Sequence, residues 1–498
     1  MGVIQITEEL LNKAFTENGD TAYRTSLSHC LDYFSLAGAL RGKYPLVTSL
    51  FLKAYHEDPQ KAVKLLFYTR DIRSGLGERG LFRYLLNYLA NINPNITDQL
   101  IPYIPEYGRY DDLLSLLKTP SEPATVSFIE KQLREDKKNK AEGKPISLLS
   151  KWLPSINTSN GEARSLALYL AKRLKMSNAN YRKMLSYLRE GIIVENNLRE
   201  KDYSFDYSAV PGLAMQKYRH AFFDWDKSRF QEYLKAVRTD SSRMHVGTMD
   251  VVSLVRHVDD YENEATAKEL SDFYETAWKA LVEEGVALNR RTIVVRDGSG
   301  SMEDCGGLPL DIANAMTLLT AERLQGEFHN RFITFSSRPK LIDLDGYRTL
   351  KEKKEALLDQ DDYTNTNIEK VYDLILKIYL HRSFTPADAL DQILIISDME
   401  FDGATESDAE SRKSTFAHFD EKFKKLGYRR PQVIFWNVNA HGVHVPVQKD
   451  QEGTVLVSGQ SKNIIDMVVS NHASDPLAYM DSVLLRYRFV DSLSWEKK

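Results

Sequence analysis

The segment Thr292-Ile293-Val294-Val295-Arg296-Asp297-Gly298-Ser299-Gly300-Ser301-Met302 decides how the C-terminal part of this chain folds. Its first four residues are a β-branched apolar run of the length expected for a strand buried on both faces. Asp297, Ser299 and Ser301 then place a carboxylate and two hydroxyls on one tight loop, and Gly298 and Gly300 let the backbone curl around a small ion. Hard oxygen donors of this kind favour Mg²⁺, with Mn²⁺ or Ca²⁺ as substitutes.

Further apolar runs follow downstream: Phe332-Ile333-Thr334-Phe335, Ile393-Leu394-Ile395-Ile396, Val433-Ile434-Phe435-Trp436 and Thr454-Val455-Leu456-Val457. Helical periodicity fills most of the gaps, over residues 310–324, 368–380 and 415–426. Buried strands alternating with helices predict a doubly wound, largely parallel sheet. Ligands of such sheets sit beyond the carboxyl ends of the strands. Three side chains do not complete an octahedral shell, so further donors are expected at neighbouring strand ends. Asp398 follows the run Ile395-Ile396-Ser397, and Thr366 precedes a helix in which Ile368 and Val371 face the core. Thr364 lies two residues before Thr366 and is the weaker choice. The competing reading of Asp297, Ser299 and Ser301 is a set of capping residues that satisfy backbone donors after a strand.

Asp297-x-Ser299-x-Ser301 with a later Thr366 and Asp398 resembles the metal-ion-dependent adhesion site of von Willebrand factor A domains. The resemblance implies that Ser299, Ser301 and Thr366 touch the ion directly. Asp297 and Asp398 would act mostly through bound water, and one position would stay open for an acidic group of a partner protein. A second metal and a positioned general base, which phosphoryl chemistry needs, are not part of that arrangement.

Residues 1–287 read as helical throughout, and residues 288–498 as the α/β domain. Asp58-Pro59 marks a helix start, and Val63, Leu66 and Phe67 recur behind it at helical spacing. Leu81, Leu85 and Leu89 do the same, as do Leu166, Leu170 and Leu174. Serial short helices without crossover strands predict a HEAT-like α-solenoid. Residues 136–144 (DKKNKAEGK) are expected to form an exposed loop.

Several features exclude function classes. No window supplies the ~20 consecutive apolar residues of a membrane span. The first residues lack a signal-peptide pattern. Cys30 and Cys305 are too few for a disulfide framework or a Cys-based zinc site, so a cytoplasmic setting is expected. Gly75-x-Gly77-x-x-Gly80 matches a dinucleotide fingerprint only in spelling, since no strand precedes it. His441 and His444 show metal-like spacing without a third ligand nearby, and Cys305 has no His–acid pair, so no enzyme is expected.

The formal net charge is −4, but it is unevenly spread. Residues 151–250 carry 17 Lys/Arg against 11 Asp/Glu, while residues 291–498 carry 26 against 32. Arg, Tyr and Trp are dense in residues 70–79, 107–112, 151–155 and 210–219. Together with the metal loop, these stretches resemble the TROVE module of the Ro autoantigen family and a related family of unknown function. That resemblance implies a ring of HEAT-like helical pairs closed by a von Willebrand A domain. It also implies binding of single-stranded RNA ends and small structured RNAs. Closure would need contacts between the first helices and the C-terminal domain. Candidate RNA contacts are Arg173, Lys175, Arg182, Lys183, Lys217 and Arg219, cations that can neutralise phosphates. Phe222, Trp225 and Phe230 read more readily as a helix core face than as a base-stacking platform, and Arg70, Arg73 and Arg79 are alternatively partners of Asp71, Glu78 and Asp111. The combined expectation is a non-enzymatic Ro-like RNA-binding scaffold. Its rival is a metal-dependent module that recruits an acidic partner without RNA.

Overall fold

The computed structural model describes residues 12–16, 21–190, 194–259, 264–285, 288, 290–360, 367–400, 412–470 and 473–495. The chain opens with a short antiparallel pair, β1 (Lys13–Phe15) and β2 (Thr21–Tyr23). The expectation of helices alone missed this pair, because three-residue strands leave no periodicity to read. Helices follow: α1 (His29–Leu36), α2 (Tyr44–Glu57), α3 (Pro59–Arg70), α4 (Arg79–Ile92), α5 (Pro94–Leu100), α6 (Glu122–Ala141), α7 (Gly161–Arg173), α8 (Asn178–Arg189), α9 (Gly212–Thr239), α10 (Val251–Arg256) and α11 (Glu264–Glu284). The Asp58 side chain accepts from the Lys61 amide at 2.9 Å, the N-cap that the sequence announces. Asn93 caps α5 in the same way, accepting from the Ile96 amide.

Residues 136–144 correct the loop expectation. α6 runs through to Ala141, and Asp136 is fully buried. The Asp136 carboxylate accepts from the Ser147 amide at 2.9 Å and the Ser147 hydroxyl at 2.6 Å, so one acidic side chain ties the charged helix end to the segment after it. Charge density hid this, because a single buried and fully bonded carboxylate looks like its solvated neighbours in sequence.

After Glu284 the elements alternate: β3 (Thr292–Asp297), α12 (Asp304–Arg323), β4 (Arg331–Phe335), β5 (Leu341–Asp343), α13 (Leu350–Leu358), α14 (Ile368–His381), β6 (Gln392–Ser397), α15 (Arg412–Lys425), β7 (Gln432–Asn437), β8 (Thr454–Ser458), α16 (Asn463–Ser470) and α17 (Pro476–Leu484). All five predicted runs are strands. The sheet order is β5-β4-β3-β6-β7-β8, parallel except for the antiparallel edge strand β5, which the sequence reading omitted. The chain moves from β3 outward to β4 and then returns to the other flank of β3 with β6. The carboxyl ends of β3 and β6 therefore form a switch point of the sheet, where this topology leaves a crevice.

The regular alternation of strands and helices begins after Glu284. Compactness groups the chain differently. One unit comprises residues 1–65 and 206–486, and the other residues 66–205 and 487–498. In the first unit, α1 packs on β8 and α17, so helices from the start of the chain contact the C-terminal α/β elements. Gly38 donates its amide to Ser458 Oγ at 3.1 Å, and Tyr23 and Val445 exchange both backbone hydrogen bonds at 2.9 and 2.8 Å.

In the second unit, Tyr487 returns to donate its hydroxyl to Asp71 at 3.1 Å, and Phe489 packs against Phe67, Tyr103 and Tyr107. Its centre is an ion network. Asp112, fully buried, accepts from Arg70 Nε at 2.7 Å and Arg83 Nε at 2.6 Å, and Asp111 accepts from Arg109 Nη2 at 2.6 Å. Of Arg70, Arg73 and Arg79, expected to pair with Asp71, Glu78 and Asp111, Arg70 forms an ion pair, but with Asp112, while Arg73 donates to the Glu106 carbonyl at 2.6 Å. Gly75 sits in the α3–α4 turn, where a Cβ would stand 2.2 Å from the Tyr68 carbonyl oxygen. Gly77 there adopts φ +70°.

Candidate metal centre

Asp297 is the last residue of β3 and Asp398 the first after β6, and these strands are hydrogen-bonded in register with Arg296 opposite Ile396. Pairing of buried strands thus brings the two carboxylates, each 1% exposed, to the same end of the sheet. Asp297 Oδ1 accepts from the Ser299 amide at 2.9 Å, which folds the loop back over the strand end, and the carboxylate also receives the Ser397 hydroxyl. Ser299 Oγ and Ser301 Oγ, both half-buried, lie 3.2 Å apart. Burial, with the neighbouring Asp398 carboxylate adding to it, pushes the Asp297 carboxyl up to about 7.

Asp398 Oδ1 accepts from the Glu400 amide at 3.2 Å, whereas Oδ2 has no hydrogen-bond partner among the described residues. Below the loop the buried Arg296 guanidinium is held by Asn314 Oδ1 at 2.7 Å and the Leu357 carbonyl at 3.3 Å. Asp297, Ser299, Ser301 and Asp398 are therefore brought together. Thr366 and its neighbour Thr364 lie outside the described residues. Among the described residues no group of three or more His, Cys, Asp or Glu side chains forms a metal cluster. The convergent set is instead two carboxylates and two hydroxyls. Such all-oxygen donors, with one buried carboxylate oxygen left unbonded, fit a hard divalent cation.

Two histidines that the sequence reading set aside stand at this rim. His441 Nε2 is 3.4 Å from Asp398 Oδ2 and its Nδ1 is 3.8 Å from Asp304 Oδ2. His444 Nε2 is 3.1 Å from Oε1 of the buried Glu400. The acids lie about forty or more residues away in sequence, so spacing of the histidines alone could not reveal them.

The six candidate RNA contacts divide. Arg173, Lys175, Arg182 and Lys183 are exposed on α7 and α8 and the turn between them. Arg173 already pairs with Glu122, and Arg182 reaches Asn157 Oδ1 at 3.5 Å. On α9, Lys217 is exposed beside the Tyr218 ring. Arg219 faces inward. Its Nη1 donates to the Gln216 carbonyl at 2.6 Å and its Nη2 to the Tyr274 hydroxyl at 2.9 Å. Phe222 and Phe230 are fully buried, as the core reading expects, but Trp225 is 59% exposed. Non-helical backbone at Asp226 (φ −142°, ψ 44°) breaks α9 there, so helical spacing does not carry through from Trp225 to Phe230.

Two of the Arg-, Tyr- and Trp-dense stretches, 107–112 and 151–155, meet at Trp152. The Arg109 guanidinium lies 3.8 Å from the indole centroid and Lys151 Nζ 5.5 Å from it. Arg83 and Arg109 crowd Arg79 strongly enough to lower its proton affinity, after burial itself.

The overall fold, helices together with a mostly parallel α/β sheet, is similar to that of a Ro protein. The crystal structure of the Ro (RSR) protein of Deinococcus radiodurans superposes with a TM-score of 0.51, covering 89% of this chain and 99% of that one at 14% identity. The chain belongs to the family described as domain of unknown function DUF2828, whose model matches residues 16–117 and 126–287. A second model, domain of unknown function DUF7788, matches residues 291–481. A relative, uncharacterized protein L728 of Acanthamoeba polyphaga mimivirus, is 29% identical over 96% of this chain and 88% of its own length. Among the described residues no helix is long and apolar enough to cross a membrane.

Proposed function

We propose that this chain is a non-enzymatic, Ro-like scaffold that binds RNA through its helical module and holds a divalent cation, Mg²⁺ foremost, at Asp297, Ser299, Ser301 and Asp398. The observation that carries the RNA reading is the charge of α7 and α8. Residues 161–189 contain seven Lys/Arg and one acidic residue, Glu162. Arg189 is consumed internally, donating to the carbonyls of Ser150 and Leu153 and to Ser155 Oγ. Arg173 is neutralised by Glu122. Arg164, Lys172, Lys175, Arg182 and Lys183 remain exposed, with no carboxylate paired to them among the described residues. Five such cations on one helical pair suit a phosphate backbone better than a neutral partner.

The metal reading stands on its own observation, the unbonded buried oxygen of Asp398 beside the raised Asp297 carboxyl. It also favours a second use of the site. Two carboxylates against a 2+ ion leave little surplus negative charge, so an acidic side chain of a partner protein can complete the shell at the half-buried serine loop.

Fluorescence anisotropy of the purified chain with labelled single-stranded RNA, at low and physiological salt and with or without EDTA, tests the RNA reading. Expected is binding that weakens with salt at a log–log slope of about −3 for four or five phosphate contacts and that ignores EDTA. Absence of binding at low salt overturns it. For the cation, Mg²⁺ should raise the melting temperature of the wild type and leave Asp297→Ala unmoved. An equal response in both would remove the site.

A further inference from the structure

The amino-terminal ends of the parallel strands line an open cavity of about 870 Å³, with arginine at four positions: Arg290, Arg291, Arg429 and Arg430. It lies at the opposite end of the sheet from the Asp297 loop, since the six residues of β3 span about 20 Å. Backbone hydrogen bonds fix its walls. The Asp391 amide donates to the Arg291 carbonyl at 2.8 Å, and the Gln432 amide to the Asp391 carbonyl at 3.0 Å. The Val433 amide donates to the Gly453 carbonyl at 3.0 Å, and the Gly453 amide to the Ser474 carbonyl at 2.8 Å. The entries to β3, β6, β7 and β8 are thus linked in one row.

Two of the four arginines are committed to the fold. Arg291 holds Asp391 with Nε to Oδ2 at 3.1 Å and Nη2 to Oδ1 at 2.8 Å. The buried Arg430 donates Nε to Asp420 Oδ1 at 2.7 Å and Nη1 to the Tyr372 hydroxyl at 3.1 Å. Gly453, at φ +68°, leaves room for it, because a Cβ there would stand 2.7 Å from Arg430 Nη2. Arg290 is held differently. Its Nη1 donates to Gln392 Oε1 at 2.7 Å and lies 3.4 Å from Gln432 Oε1. Both glutamines are fixed in that orientation, since Gln392 Nε2 donates to Thr292 Oγ1 at 2.9 Å and Gln432 Nε2 to the Ala473 carbonyl at 2.8 Å.

The half-buried Arg290 guanidinium is therefore positioned by neutral acceptors, with no carboxylate in ion-pair contact among the described residues. Arg429 is exposed and also lacks an ion pair among them. Burial lowers the proton affinity of Arg290; Asp391 opposes that effect and Arg429 adds to it. The third acid at the cavity, Glu452, is exposed, and its backbone carbonyl rather than its carboxylate faces Arg430. With Arg291–Asp391 and Arg430–Asp420 neutralised as pairs, Arg290 and Arg429 against Glu452 leave a surplus of positive charge. A partly buried cation without a counter-ion is stabilised by an incoming anion.

We propose that this cavity binds the phosphate of a small phosphomonoester, with Arg290 as its main ligand and Arg429 as a second, solvent-facing one. Guanidinium forks match phosphate oxygens in pairs. Ala389 and Leu390, both buried, with Pro386 and Ala473, supply apolar surface for the organic part. The volume falls within the range of roughly 300–1,000 Å³ usual for small-molecule sites. The cavity shares no residue with the Asp297–Asp398 loop or with α7 and α8, so it stands apart from both earlier readings.

Isothermal titration of the full-length chain with phenyl phosphate tests this, in EDTA so that no bound cation takes up the phosphate. Expected is saturable binding that inorganic phosphate competes for and that phenol does not reproduce. Arg290→Gln should weaken it by about tenfold or more, the loss of charge-assisted hydrogen bonds. Arg429→Ala should weaken it by about threefold, the smaller effect of an exposed charge. Lys183→Glu, on the basic α7–α8 surface, should bind like the wild type. Absence of wild-type binding at millimolar phenyl phosphate overturns the proposal, as does equal affinity in a folded Arg290→Gln. Should Arg290→Gln fail to fold, Arg429→Ala decides, and unchanged affinity there overturns it. Loss of binding in Lys183→Glu would put the phosphate on α7 and α8 and overturns it as well.

Discussion

Ala39 and Ala440 are joined by a 3.1 Å hydrogen bond from the Ala440 amide to the Ala39 carbonyl. Ala440 immediately precedes His441, so the segment after the first helix holds in place the rim of a site built on the far end of the chain. Residues that a linear reading assigns to the helical half are structural parts of the rim around Asp297 and Asp398.

That docking depends on close backbone approach. A Cβ on Gly38 would stand 2.7 Å from both Gly459 Cα and the Ser458 carbonyl oxygen, backbone atoms that cannot rotate away. Gly38→Ala is expected to destabilise the first unit by roughly 1–3 kcal/mol, the range of overpacked cores. Gly161→Ala, where nothing lies within 4 Å, should be close to neutral. Urea unfolding of the two variants checks this, and equal midpoints would contradict the packing argument.

The buried Arg70–Asp112 pair makes a second expectation. Their side chains are 3% and 0% exposed, and Asp112 also holds Arg83 and the Arg109 amide. Asp112→Ala strands two guanidinium groups and should cost about 3–5 kcal/mol. Hydrogen exchange in α3 and α4 should accelerate accordingly. Wild-type protection there would show that water already solvates the network.

Asp111 gives a pH dependence with a definite sign. Burial raises its carboxyl, but hydrogen bonds from Arg109 and Arg83 outweigh that and hold it below the usual carboxylate range. A depressed folded value means stabilisation that is present above the ordinary value and lost as pH falls through the folded one. The stability gap between wild type and Asp111→Asn should therefore be full at pH 6 and shrink below about pH 4. A gap that stays constant down to pH 3 would mean that the carboxylate is not stabilised by its arginines.

Two of the basic residues should separate cleanly. Arg219 donates to Gln216 and Tyr274 inside the first unit, so Arg219→Ala is expected to lower stability by about 1–3 kcal/mol. Lys183 is exposed, and Lys183→Glu should change stability by less than about 0.5 kcal/mol. The same change should weaken RNA binding and reduce the magnitude of its salt slope by about 1. Thermal melts and anisotropy on both variants decide the assignment, which fails if Lys183→Glu melts early or Arg219→Ala does not.

The α/β half was legible because each strand is a continuous apolar run, as in Ile393-Leu394-Ile395-Ile396, and each helix between has its own period. Asp297, Ser299 and Ser301 were legible because loop and strand are one local segment. Asp136 was misread and β5 missed for the opposite reason: a buried, hydrogen-bonded acid and a three-residue edge strand carry no local pattern. His441 could be found in the sequence but not interpreted, since its acidic neighbours come from other strands and loops.

The sequence by itself determined the kinds of element, the change of class after Glu284 and the oxygen-rich loop at the end of β3. These follow from hydrogen bonds and periodicities that span only a few residues. The tertiary structure alone decided that Asp398 and His441 share the rim with Asp297. It also decided that Arg219 is structural while Lys183 faces solvent, and that the first helix packs on the last strand. Such contacts join residues tens to hundreds of positions apart, and burial against particular neighbours selects them. Side-chain type alone does not encode that selection.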